Sequence, residues 1–159
     1  PFTPEAAEAQ YKVGRCHFAL KEYTEAAYEY RRVVEDYGGS DWVDDASHGL
    51  VMCYFESALP PEYDQTNSQL AIRSIDEFQN RFPGDARGAE MDDIRSEMRE
   101  RIAEQRLQTA QFYEQRRRFE SARISYEVVV TDFPGTAAAV KAGEWLAGYQ
   151  EGVAPEMGS

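Results

Sequence analysis

Apolar residues recur at i, i+3 and i+4 along almost the whole chain, and the two-residue alternation of half-buried strands is absent. The pattern predicts seven helices separated by stop signals. Thr3-Pro4 supplies a cap and a first-turn proline for a helix to about Leu20. Thr24 is expected to cap a second helix, ended by Tyr37-Gly38-Gly39. A third begins at Asp41, with Asp44 three residues on, and runs to near Ser57, before Pro60-Pro61. Thr66 or Ser68 opens a fourth, stopped by Phe82-Pro83-Gly84. Asp85 opens a long fifth helix that reaches about Arg117. The sixth spans about Phe119 to Asp132, before Phe133-Pro134-Gly135. Thr136 caps the last, which fades at Gly148–Gly152.

A repeat underlies these helices. Ala26, Tyr30, Val33 and Tyr37-Gly38 share their spacing with Ala71, Ile75, Phe78 and Phe82-Pro83. They share it again with Ala122, Tyr126, Val129 and Phe133-Pro134. The helix before each segment carries a small residue where two helices would cross: Gly14, Gly49 and Ala110. Small residues let backbones approach, large ones fill the groove beside them, and Pro83 or Pro134 ends the helix. The pattern is tetratricopeptide-like, with two antiparallel helices per repeat. One such repeat cannot bury its apolar face alone. The expected fold is an all-α, right-handed superhelical solenoid of about seven antiparallel helices. One repeat domain is expected over 1–152, with repeats at about 4–38, 41–84 and 85–135, a terminal helix at 136–150 and a disordered tail at 153–159. Two departures stand out. The second repeat carries about ten extra residues between its helices (Ser57–Ser68, with Tyr63 and Asp64), a common place for recognition elements. The third has an over-long first helix.

Composition narrows the function. The 159 residues carry a formal net charge of −12. Residues 1–100 hold 21 acidic and 10 basic side chains, and residues 101–159 hold 8 and 7. An excess of acid argues against nucleic acid and against anionic lipid heads. No apolar stretch approaches bilayer-spanning length, and no signal peptide is visible. Position 1 is Pro, so the chain is expected to be a section of a longer polypeptide, and Pro1-Phe2 is similar to the end of a preceding repeat. Cys16 and Cys53 fall in apolar helical patterns and are expected to be buried thiols.

No catalytic constellation is legible, and neither cofactor nor metal is expected. His17 stands where the repeat usually carries Tyr, which suggests packing. His48 has only Asp44 or Asp45 as conceivable co-ligands. Asp44/Asp45 and Asp92/Asp93 lie at helix starts, where the macrodipole favours anions. Acids and arginines alternate on the long helix, as in Asp92–Arg95 and Glu97–Arg101, the pattern of a self-paired solvated face. Arg116-Arg117-Arg118 is the one concentrated positive run. It reads either as favourable placement at a helix C-terminus or as a docking patch for an acidic partner.

Over nearly its whole length the chain resembles the BamD (YfiO) family of outer-membrane β-barrel assembly lipoproteins, most specifically in the third repeat. The likeness is carried by Ile102-Ala103-Glu104-Gln105, Ala110-Gln111-Phe112-Tyr113-Glu114, Arg116, Phe119, Ala122-Arg123, Tyr126, Val129 and Asp132-Phe133-Pro134-Gly135-Thr136. The insertion leading into Ala71 matches too. The resemblance implies a non-enzymatic scaffold at the periplasmic face of the bacterial outer membrane, held by an N-terminal lipidated cysteine. Neither Cys16 nor Cys53 sits in a lipobox. The implied partners are BamA-like POTRA domains, docked by the C-terminal repeats, the other lipoproteins of that assembly, and unfolded outer-membrane protein segments. Arg116 matches an arginine common in the family. Ser125 stands where an arginine is often found, with Arg123 one turn away as a substitute. Candidate partner-binding residues are therefore Arg116, Arg117, Arg118, Arg123, Tyr63 and Asp64. The alternatives are a periplasmic scaffold similar to the TolA-binding division-coordination protein, a generic repeat adaptor, and a ligand- or metal-binding helical domain.

Overall fold

The computed structural model describes residues 3–149. These form seven α-helices and no strand: α1 (Pro4–Ala19), α2 (Tyr23–Asp36), α3 (Val43–Glu56), α4 (Thr66–Arg81), α5 (Gly88–Gln115), α6 (Phe119–Asp132) and α7 (Ala137–Gly148). The all-helical, tetratricopeptide-like repeat fold is therefore present. The expectations for Pro1-Phe2 and for the 153–159 tail lie outside the described residues. Two compact units can be distinguished. One comprises the chain through Leu59 with Asp64–Met98, and the other comprises Pro60–Tyr63 with the chain from Arg99 on.

In the first unit α1 packs on α2, α2 on α3, and α3 on α4. Tyr30 of α2 is the keystone. Its ring lies between Gly14 of α1 and Gly49 of α3, so close that a Cβ at either glycine would stand 2.8 or 2.7 Å from ring carbons. Tyr11 extends the cluster, stacking on Trp42 with centroids 5.0 Å apart. Ala71, Ile75 and Phe78 of α4 and Met91, Ile94 and Met98 of α5 complete the core. In the second unit Ala103, Leu107 and Ala110 pack with Ala122, Tyr126 and Val129 and with Ala138 and Ala142 of α7.

The repeat read from spacing is a repeat in burial. The three small residues Ala26, Ala71 and Ala122 are wholly inaccessible, and the two large residues after each are at most 3% exposed. Each second helix also closes on the same bond: Tyr37, Phe82 and Phe133 donate their N–H to the carbonyl four residues back, at 2.8–3.1 Å. Pro83 and Pro134 follow as exposed terminators.

Helix starts differ from expectation in places. Thr3 and Thr136 do cap α1 and α7, accepting from the N–H of Ala6 and Ala139. Thr24 does not cap α2, which starts one residue earlier. Its turn relies on backbone instead: Lys21 takes a positive φ of 62°, and Lys21 and Glu22 donate to the carbonyls of Phe18 and His17. The α5–α6 turn is the same device, with Arg117 at φ 56° and Arg117 and Arg118 donating to Glu114 and Tyr113. Helix α3 begins at Val43 rather than Asp41, and α5 at Gly88 rather than Asp85.

The insertion between α3 and α4 is bound at its base. The Asn67 amide donates to the carbonyl and hydroxyl oxygens of Ser57, and Gln65, almost wholly buried, donates to the Leu59 carbonyl. Of the two starts expected for α4, Thr66 is the one observed, and Ser68 lies buried in the first turn, donating to Gln65 Oε1 at 2.8 Å. Cys53 is buried as expected and its thiol is pushed up to about 12 by burial, whereas Cys16 is exposed, contrary to expectation.

Candidate protein-docking surface

The α5–α6 turn gathers the positive run. Arg116, Arg117 and Arg118 are all exposed, and among the described residues none pairs with a carboxylate. The Arg116 guanidinium covers the Phe112 ring at 4.4 Å from its centroid, and that ring is 48% exposed. A large apolar face capped by a cation suits an interface anchor, because both groups are desolvated together on binding. Arg118 stands at the start of α6 with no side-chain cap, and its carbonyl accepts from Ala122.

Arg123 is placed differently. Its guanidinium is held by Glu120 and Glu127, each at 2.5 Å. Those contacts raise its pKa, and the Arg123 contact pulls the Glu120 carboxyl below its ordinary range. Its charge is thus already matched on its own helix. Ser125 donates to the Ser121 carbonyl.

Tyr63 lies in the second unit with its ring exposed, and Gln105 Nε2 donates to its carbonyl at 2.8 Å. Asp64 lies in the first unit and serves the start of α4. Its carboxylate accepts the Thr66 N–H at 2.9 Å, and the side-chain and backbone bonds to Thr66 hold its pKa below the usual range. Gly14, Ala26, Tyr30, Ala71, Phe78, Ala110, Ala122 and Tyr126 are buried, Gly49 is half-buried against the Tyr30 ring, and Tyr113 is half-buried against the second core. Tyr126 donates to Glu114 at 2.6 Å; burial, then that carboxylate, raises its pKa.

The strongest electrostatic feature was not singled out from the sequence. Arg87 binds Asp45 Oδ1 and Asp85 Oδ2 at 2.7 Å and Asp44 Oδ2 at 3.0 Å, and lies over the Phe78 ring. The pair Asp44/Asp45, read as helix-start anions, is thus also the counter-charge of an arginine from the α4–α5 turn. The bond from Arg87, outweighing burial, lowers the Asp85 pKa to about 2. His48 Nε2 lies 3.0 Å from Glu90, and His17 Nδ1 lies 2.6 Å from Glu22 at the α1–α2 turn rather than within the core. Among the described residues no group of three or more His, Cys, Asp or Glu is placed to hold a metal ion.

A groove of about 280 Å³ lies between α1 and α3, walled by Tyr11, Phe18, Tyr30 and Met52 with Arg15, Asp45 and His48 at its polar edge. No described helix is long and apolar enough to cross a membrane.

A comparison with curated proteins finds no match. The profile of the family described as YfiO, outer membrane lipoprotein, matches residues 1–151. That match spans both units and all seven helices, so the chain belongs to the YfiO family of outer membrane lipoproteins.

Proposed function

We propose that this protein is a non-enzymatic scaffold of the outer-membrane β-barrel assembly machinery, at the periplasmic face of the outer membrane, docking through its α5–α6 turn on the POTRA region of a BamA-like partner. The observation that carries the reading is the Arg116–Arg118 run, which among the described residues meets no carboxylate, with Arg116 over exposed Phe112, in a chain of net charge −12. Uncompensated charges at an interface rim set partner choice and speed association, and the aromatic supplies apolar area. Family membership supports the outer-membrane setting.

The test is calorimetry against the periplasmic domain of the BamA-like partner from the same source. Reversing Arg116, Arg117 and Arg118 to Glu together should weaken binding by about tenfold or more and flatten its salt dependence. Unchanged affinity would overturn the reading.

A second reading concerns the α1–α3 groove. Its three aromatic walls and Met52 favour apolar and aromatic side chains of unfolded outer-membrane protein segments. Crosslinking from a photoreactive residue at Met52 to an unfolded barrel substrate, competed by unlabelled substrate, would test it. Absence of the crosslink would remove that reading and leave the docking turn untouched.

A further inference from the structure

On another face of the first unit, α2, the end of α3 and the start of α4 enclose a groove of about 360 Å³. This volume is at the low end of ligand-sized clefts, which hold roughly 300–1,000 Å³. It admits one or two side chains of an extended segment rather than a folded domain.

The lining has a distinct chemistry. Its one charged residue is Arg31. Arg31 hydrogen-bonds the Tyr54 hydroxyl and, among the described residues, is paired with no carboxylate, whereas its neighbour Arg32 is paired with Asp36. In a chain with 29 acidic side chains, a groove without a single one is a local reversal of charge. The Tyr54 hydroxyl accepts from Arg31 and so keeps its own hydrogen to donate. Tyr28, 58% exposed, adds a second hydroxyl and a ring approached by the Arg32 guanidinium at 6.0 Å from its centroid. Asn67 spends its amide hydrogens on Ser57, leaving its carbonyl oxygen to accept a peptide N–H. Ala27 and Leu70 provide apolar lining.

We propose that this groove docks a short extended segment of a partner protein, one that carries a carboxylate side chain beside an apolar residue. The carboxylate would be received by Arg31 and the Tyr54 hydroxyl, as a charge-assisted pair stronger than a neutral hydrogen bond. The apolar neighbour would lie on Leu70 and the Tyr28 ring, and Asn67 would fix the backbone. The site is separate from the Arg116–Arg118 turn and from the α1–α3 groove. Its occupant is a short acidic peptide rather than an acidic domain face.

The experiment titrates the isotope-labelled full chain with acetyl-Ala-Leu-Glu-Leu-Ala-amide, following amide chemical shifts. The same peptide with Lys or Gln in place of Glu serves as comparison. Saturable shifts are expected within residues 23–31, 54–57 and 67–70, with the Glu peptide binding about tenfold tighter than the Lys peptide. Arg31→Gln and Tyr28→Ala should each weaken the Glu peptide by about fivefold with the remaining spectrum unchanged. Both side chains are exposed, so neither variant tests the core. The proposal is overturned if no saturable shift occurs by about 5 mM, which covers millimolar affinities. Equal binding of the Lys peptide, or shifts confined to residues 112–118, would overturn it too.

Discussion

Tyr30 occupies the space that a side chain on Gly49 would need, with its Cε2 2.7 Å from the position of that absent Cβ. Gly14 bounds the other edge of the same ring, at 2.8 Å from Cε1, so the ring cannot retreat from either helix. In an exposed helix Gly→Ala gains about 1 kcal/mol of propensity. Here the sign should invert. Gly14→Ala and Gly49→Ala should each destabilise the protein by about 1–3 kcal/mol, the usual cost of overpacking. Urea unfolding followed by helical circular dichroism measures this, and a stabilised Gly49→Ala variant would contradict the packing described.

The Arg87 cluster predicts an acid-side dependence of stability. The Asp85 carboxyl titrates at about 2 in the folded protein, while an unfolded aspartate titrates near 3.9. Between those values the unfolded chain binds more protons, so stability rises with pH. The contribution is complete above about pH 5 and is lost as pH falls through about 2. Arg87→Met removes the partner of Asp44, Asp45 and Asp85 together. It should lower stability at neutral pH and flatten that part of the profile. Parallel slopes for variant and parent between pH 4 and pH 2 would show that the pairing has no such linkage.

Arg117 is a non-glycine residue at φ 56°, a conformation costing roughly 1–2 kcal/mol for an L-residue. Glycine relieves that strain and loses about 0.4–1 kcal/mol through greater unfolded-state freedom. Arg117→Gly should therefore leave stability unchanged or raise it by about 1 kcal/mol while weakening partner docking. This variant separates folding from recognition at one position. A lowered melting temperature would mean that the Arg117 side chain supports the turn.

Much of the fold was legible because its signal is local. Ala26, Tyr30 and Val33 fall on one helical face by their spacing alone, and their counterparts Ala71, Ile75, Phe78, Ala122, Tyr126 and Val129 obey the same rule. The α2 start at Tyr23 was not legible from side-chain caps, since backbone bonds at Lys21 and Glu22 build that turn. Cys16 was misread for a related reason. Val13, Cys16 and Leu20 have the spacing of a buried stripe, yet Val13 and Cys16 on α1 and Leu20 at its C-cap are all exposed. Periodicity marks a face without saying whether a neighbour covers it. Arg87 escaped because its partners Asp44 and Asp45 are more than forty residues away, where no sequence period applies. The Arg116–Arg118 run was visible as charge. That Arg123 is already neutralised by Glu120 and Glu127, while the run is not, required coordinates.

The insertion at the α3–α4 junction bears on the thermodynamics of assembly. A loop that is disordered before binding loses about 1–2 kcal/mol per residue of backbone freedom when a partner fixes it. Here the bonds from Gln65 to Leu59 and from Asn67 to Ser57 are formed within the protein itself, so that loss is absorbed during folding. An encounter with a partner at this loop then retains more of its contact energy as affinity, and shortening the loop would change association without a matching loss of helix.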